Sequence, residues 1–72
     1  MTTLSPSKTQ INSVIALYSN GQMQEAIEGV EALIKDYPNE ALLHNIRGAF
    51  YQAIGQLNES LDSFEKAITI NS

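Results

Sequence analysis

The side chains able to do chemistry are few, and their spacing narrows what they could do. His44 is the only histidine and there is no cysteine, so a metal site would have to take carboxylates as its other ligands. Carboxylates do pair at i, i+3, as Glu25 with Glu28 and Glu59 with Asp62. That spacing puts both acids of a pair on one outward helix face, where a solvated acidic face is the ordinary outcome. The glycines are isolated, and no G-x-x-x-x-G-K-[ST] run is present to cradle a phosphate. Asn58-Glu59-Ser60 formally matches a glycosylation acceptor, but the opening MTTLSPSKTQ lacks a basic region followed by an apolar run. Without a secretory signal, Asn58 is expected to cap a helix instead. No catalytic residue, metal site or cofactor is expected, and the chain is not expected to be an enzyme.

Composition excludes further classes. With 72 residues the chain is one small domain, near the size at which a single core barely supports folding. Hydrophobic residues make up 43% and charged residues 17%, which favours a folded chain over a disordered one. The net charge of −4 leaves only Lys8, Lys35, Arg47 and Lys66 as cations. They are scattered, so a nucleic-acid partner, whose affinity would rest on clustered Lys and Arg, is not expected. No apolar run is long enough to span a membrane. A cysteine-free chain without a leader is compatible with a reducing compartment, and a cytoplasmic location is expected.

The elements that position these residues repeat. Residues 21–34 read GQMQEAIEGVEALI and residues 55–68 read GQLNESLDSFEKAI, 34 residues apart. Gly21/Gly55, Gln22/Gln56, Glu25/Glu59, Glu31/Glu65 and Ile34/Ile68 are identical in register. A fixed period of this length marks an architecture in which each unit buries its apolar face only against its neighbours. Four helices are expected. The first runs from about 6 to 20, with Ser5 as N-cap, Pro6 at the first helical position and Gly21 as the left-handed stop. The second covers about 24–36 and ends at Tyr37-Pro38. The third, capped by Asn39, covers about 40–54 and stops at Gly55, and the fourth, capped by Asn58, runs to about 70. Linkers this short give antiparallel neighbours, hence two successive helical hairpins. Leu43, Ile46, Phe50 and Ile54 follow helical spacing, and no strand pattern is found.

The second unit resembles the tetratricopeptide repeat, a helix-turn-helix with the pattern W-x2-L-G-x2-Y…A-x3-F…P. Its positions fall on His44, Arg47, Gly48, Tyr51, Ser60, Phe64 and Ser72, of which Gly48, Tyr51 and Phe64 match outright and Ser60 keeps the small size. The first unit sets Gln10, Ser13, Val14, Leu17, Ala26, Val30 and Pro38 at the same points and matches in Ala26 and Pro38. The resemblance implies an all-α fold: two tandem tetratricopeptide-like hairpins forming a short right-handed α-solenoid. Residues 1–6 would be an N-terminal segment, 7–40 the first repeat and 41–72 the second. Gly48 and Ser60 are expected to let two helices approach closely, with Tyr51 and Phe64 supplying the bulk of the core. Arg47 stands at an expected leucine position and either lays its stem along the core or pairs with an acid of an adjacent helix. Gly29, inside the second helix, either permits close backbone approach or is a tolerated surface glycine.

In such arrays the first helix of each repeat lines a concave groove that holds a peptide or a partner helix. Carried onto this sequence, the resemblance implies a groove of Lys8, Ile11, Asn12, Ile15, Tyr18 and Ser19 from the first unit. The second would add Leu42, Asn45, Ile46, Ala49, Gln52 and Ala53. Seven of the eight acids lie in the second helices or at their ends, which leaves the groove nearly neutral, apolar in the middle and supplied with amides. The carboxylate-clamp subclass needs lysines and asparagines where Ile11, Ile15 and Ile46 stand, so an apolar segment suits the groove better than a peptide C-terminus. The alternative is that Ile11, Val14, Ile15 and Tyr18 simply pack the domain or a second copy of it. The last helix carries Leu61, Ile68 and Ile70 with no following helix to cover them. Either the chain belongs to a longer protein or it self-associates as a homodimer through that open helix. The function expected is a protein–protein interaction scaffold for a protein, a peptide or a second copy of the chain. The alternative is an accessory domain of a larger bacterial enzyme, glycosyl- or sulfotransferase-like.

Overall fold

The computed structural model describes residues 5–71. The segment before Ser5 and the proline position of the repeat pattern, Ser72, lie outside the described residues. Four helices follow in order: α1 Lys8–Ser19, α2 Met23–Asp36, α3 Ala41–Ala53 and α4 Leu57–Ile70. There is no strand among the described residues. α1 packs on α2, α2 on α3 and α3 on α4. The body measures 39 × 25 × 15 Å, too thin to hold more than one layer of core.

The turns between α1 and α2 and between α3 and α4 are the same motif 34 residues apart. Gly21 at φ +80° and Gly55 at φ +81° take the left-handed conformation that ends a helix without Cβ strain. The amide of Gly21 bonds the Tyr18 carbonyl and that of Gln22 the Leu17 carbonyl, while Gly55 and Gln56 repeat the pattern on Gln52 and Tyr51. These pairs satisfy the orphan carbonyls at each helix end, a Schellman closure. Each next helix begins at once, since the Gln22 carbonyl accepts from Ala26 and the Gln56 carbonyl from Ser60. Asn58 therefore lies inside α4 and is no cap; Gln56 holds that position through its backbone alone.

Two further caps differ from expectation. α1 is capped by Ser7, not Ser5, because Gln10 stands three residues later. The Ser7 hydroxyl accepts from the Gln10 amide at 3.1 Å, and the Gln10 side chain accepts from the Ser7 amide at 2.8 Å. Two orphan donors are satisfied at once, which Ser5 could not do. The Ser5 hydroxyl instead donates to Glu40 Oε1 at the start of α3, at 3.2 Å. α3 is capped by Glu40 with no side-chain bond, because Asn39 is held within the turn closed by the Glu40 amide on the Tyr37 carbonyl.

The helices of each hairpin approach through a missing side chain. A Cβ at Gly48 would lie 2.7 Å from the Phe64 ring, and one at Gly29 would lie 2.8 Å from Val14 Cγ1. Gly29 is thus a close-approach site and not a tolerated surface glycine. Ser60 completes the second crossing as expected, its buried hydroxyl donating to the Gly48 carbonyl at 2.9 Å. The core is a cluster of Val14, Ala26, Ile27, Val30, Leu33, Leu43 and Phe50 around α2. Tyr51 and Phe64 are only half-buried, so the bulk expected of them comes from Phe50 and Leu43. Tyr51 aims its polar end outward to a carboxylate, and Phe64 lays its ring against Gly48 of α3 while part of the side chain stays exposed.

Gly48→Ala sets a helix-propensity gain of about 1 kcal/mol against an overpacking cost of about 1–3 kcal/mol. The expected outcome in urea unfolding is a net loss of up to about 2 kcal/mol. Adding Phe64→Leu should recover most of it; a Gly48→Ala protein more stable than the parent would contradict the tight crossing.

Candidate functional site

The expected groove residues occupy α1 and α3 and are mostly exposed. Lys8, Asn12, Ile15, Tyr18 and Ser19 of α1 face solvent, as do Leu42, Asn45, Ala49, Gln52 and Ala53 of α3. Ile11 and Ile46 do not: both are half-buried and pack against the core cluster, so they serve the fold first. Val14 is fully part of that core. Ile15, Tyr18 and Leu42 remain as large apolar side chains 41%, 40% and 46% exposed. The two helices meet where Tyr18 stacks on Phe50, with ring centroids 5.0 Å apart and planes within 12°. Offset stacking of this kind gives the face a rigid aromatic centre. The face is open rather than enclosed. Of the expected positions only Gln52 lines one of three clefts of about 570, 400 and 300 Å³.

The largest cleft lies on another side, between the end of α2, the α2–α3 turn and α4. Its floor is a polar relay. Arg47 Nε donates to Ser63 Oγ at 2.9 Å, Arg47 Nη2 lies 3.4 Å from His44 Nδ1, and His44 Nε2 lies 3.0 Å from the Pro38 carbonyl. These contacts fit the tautomer with the proton on Nε2, donating to Pro38 and leaving Nδ1 to accept from the guanidinium. Arg47 is half-buried, and its partners are a hydroxyl and a ring nitrogen rather than an acid of an adjacent helix. His44 is buried and ties α3 to the preceding turn. Ser63 and Glu31 were not among the expected partners. Ser63 could have been found from register, because it is the counterpart of Gly29 and the crossing demands a small residue there.

Among the described residues, no group of three or more His, Cys, Asp and Glu side chains could hold a metal ion. The paired acids Glu25/Glu28 and Glu59/Asp62 are all exposed, and Glu28 accepts from Gln24 at 3.1 Å. No described helix is long and apolar enough to cross a membrane. Comparison with protein families, curated proteins and solved structures finds no match to this chain.

Tyr51 bridges the units, its hydroxyl donating to Glu31 Oε2 at 2.8 Å. Its pKa is raised above 10.0, first by desolvation and then by the hydrogen bond and charge of Glu31. A raised folded-state value means that the bond contributes its stability fully below pH about 10 and loses it as pH climbs through the folded value. Tyr51→Phe should therefore be less stable than the parent at neutral pH, and the gap should close above pH about 10. Thermal melts of both proteins from neutral to alkaline pH check this; a gap independent of pH would contradict it.

Proposed function

We propose that the chain is a non-catalytic interaction scaffold that binds an extended apolar peptide or a partner helix across α1 and α3. The observation that carries this reading is the exposure of three large apolar side chains, Ile15 and Tyr18 on α1 and Leu42 on α3. Asn12, Asn45 and Gln52 lie on the same two exposed helices. Large apolar side chains contribute contact area, and amides can satisfy the backbone of a peptide laid beside them. The carboxylates stay on α2, α4 and the α3 N-terminus, so an apolar or acidic segment would meet no strong repulsion at these residues. The resemblance to tetratricopeptide repeats supports the same reading. In that architecture the two hairpins form a short right-handed solenoid over residues 7–72, with the first helices on the concave side.

Peptides selected from a display library against the chain test the proposal. Ile15→Glu with Leu42→Glu is the informative double variant, since both residues are exposed and the fold should survive; Ile46 is avoided because it packs on the core. Binding of the selected peptides should fall by more than about tenfold with unchanged far-ultraviolet circular dichroism. Unchanged affinity would exclude these residues as the binding face.

A further inference from the structure

The register of the two units allows the α4 surface to be read against a covered counterpart. Ile27 of α2 is 5% exposed within the core cluster that α3 helps to form, whereas its counterpart Leu61 of α4 is 59% exposed. Val30 is fully buried and its counterpart Phe64 is not. Leu57 and Ile68 are each 64% exposed, while Ile70 is half-buried. Thus α4 presents, uncovered, the surface that on α2 receives a helix. Leu57, Leu61, Phe64 and Ile68 fall at i, i+4, i+7 and i+11, the spacing of a straight seam between two packed helices.

The chain itself supplies one matching surface. Head-to-tail stacking would put a second copy's α1 on α4 as α3 sits on α2. However, the α3 residues Leu43, Ile46 and Phe50, which pack with the core around α2, have Thr9, Asn12 and Ala16 as their α1 counterparts. That face is polar and small and cannot cover the seam. The seam fits itself. A twofold axis between Asp62 and Ser63 sets Leu57 opposite the partner's Ile68 and Leu61 opposite the partner's Phe64. All four apolar residues are matched in a self-complementary, closed interface. The shallow apolar cleft of about 300 Å³ bordered by Leu57, Leu61 and Phe64 is a hole for a partner side chain. In the same antiparallel arrangement Glu65 comes beside the partner's Asn58, so acid does not face acid.

We propose that two copies of this chain associate through α4 as an antiparallel, twofold-symmetric pair, independently of whatever occupies α1 and α3. Light scattering behind a size-exclusion column, over a roughly hundredfold concentration range, should show the mass rising toward twice the 7.9 kDa of one chain. Leu61→Asp with Ile68→Asp, both at exposed positions, should weaken the pair by more than about tenfold with helicity retained. Ile15→Glu with Leu42→Glu should leave it intact, which separates this surface from the peptide-binding residues. Orientation can be read directly because the chain has no cysteine of its own. Leu57→Cys and Ile68→Cys proteins, mixed and oxidised, should cross-link to each other, and Leu57→Cys alone should not cross-link to itself. A monomer at every concentration, a pair indifferent to the aspartates, or self-linkage of the Leu57→Cys protein would each overturn the proposal.

Discussion

Each hairpin closes because one of its helices lacks a side chain where the other crosses it. In the first unit Gly29 of α2 makes room for Val14 of α1, and in the second Gly48 of α3 makes room for Phe64 of α4. Val14 corresponds to Gly48 and Gly29 to Ser63, while Phe64, which fills the second notch, corresponds to Val30. One glycine notch thus serves each crossing, on opposite helices. A 72-residue chain gains little from a single core, so close interhelical contact at both crossings has to be achieved for the remaining interactions to form.

Those remaining interactions divide by unit. Around α2, which has a neighbour on two sides, the core is apolar and continuous. Around α4 the buried residues are Ser60, Ser63 and Ala67, and hydrogen bonds take over. Ser60 bonds the carbonyl of the notch glycine itself, and Ser63 anchors Arg47. Through His44 this reaches the Pro38 carbonyl in the α2–α3 turn. No buried side-chain polar atom among the described residues is left without a partner, which is what makes such a polar crossing tolerable. The units are then joined by the Tyr18–Phe50 stack and the Tyr51–Glu31 bond.

Much of this fold was legible in the sequence because glycine and period carry mechanical meaning. Gly21 and Gly55 marked both left-handed stops, and the offset of 34 residues fixed which side chains are equivalent. The caps were less legible. Ser7 followed by Gln10 is a capping-box signature that the Ser5-Pro6 signal overshadowed, and Asn39 and Asn58 are good capping residues standing where the turn leaves no cap position. The Arg47 bond was not legible, because register marks Ser63, sixteen residues away on another helix, as a small residue and not as a hydrogen-bond partner. The division of α1 and α3 into core and exposed residues was half-visible. Helical spacing groups Ile11, Val14, Ile15 and Tyr18 together, and only the packing shows that Ile11 and Val14 face inward while Ile15 and Tyr18 face out.

The surface follows from the same constraint. Once both crossings close, α1 and α3 retain exposed apolar side chains, and α4 retains a seam that α2 has already filled. Urea unfolding of two variants tests the underlying claim most directly. Gly48→Val alone places a branched side chain against Phe64. Gly48→Val with Ser63→Gly and Phe64→Val rebuilds the second crossing on the pattern of the first. The account predicts a large loss of stability in the single variant and recovery of most of it in the triple variant. A single variant as stable as the parent, or a triple variant no better than the single, would contradict it.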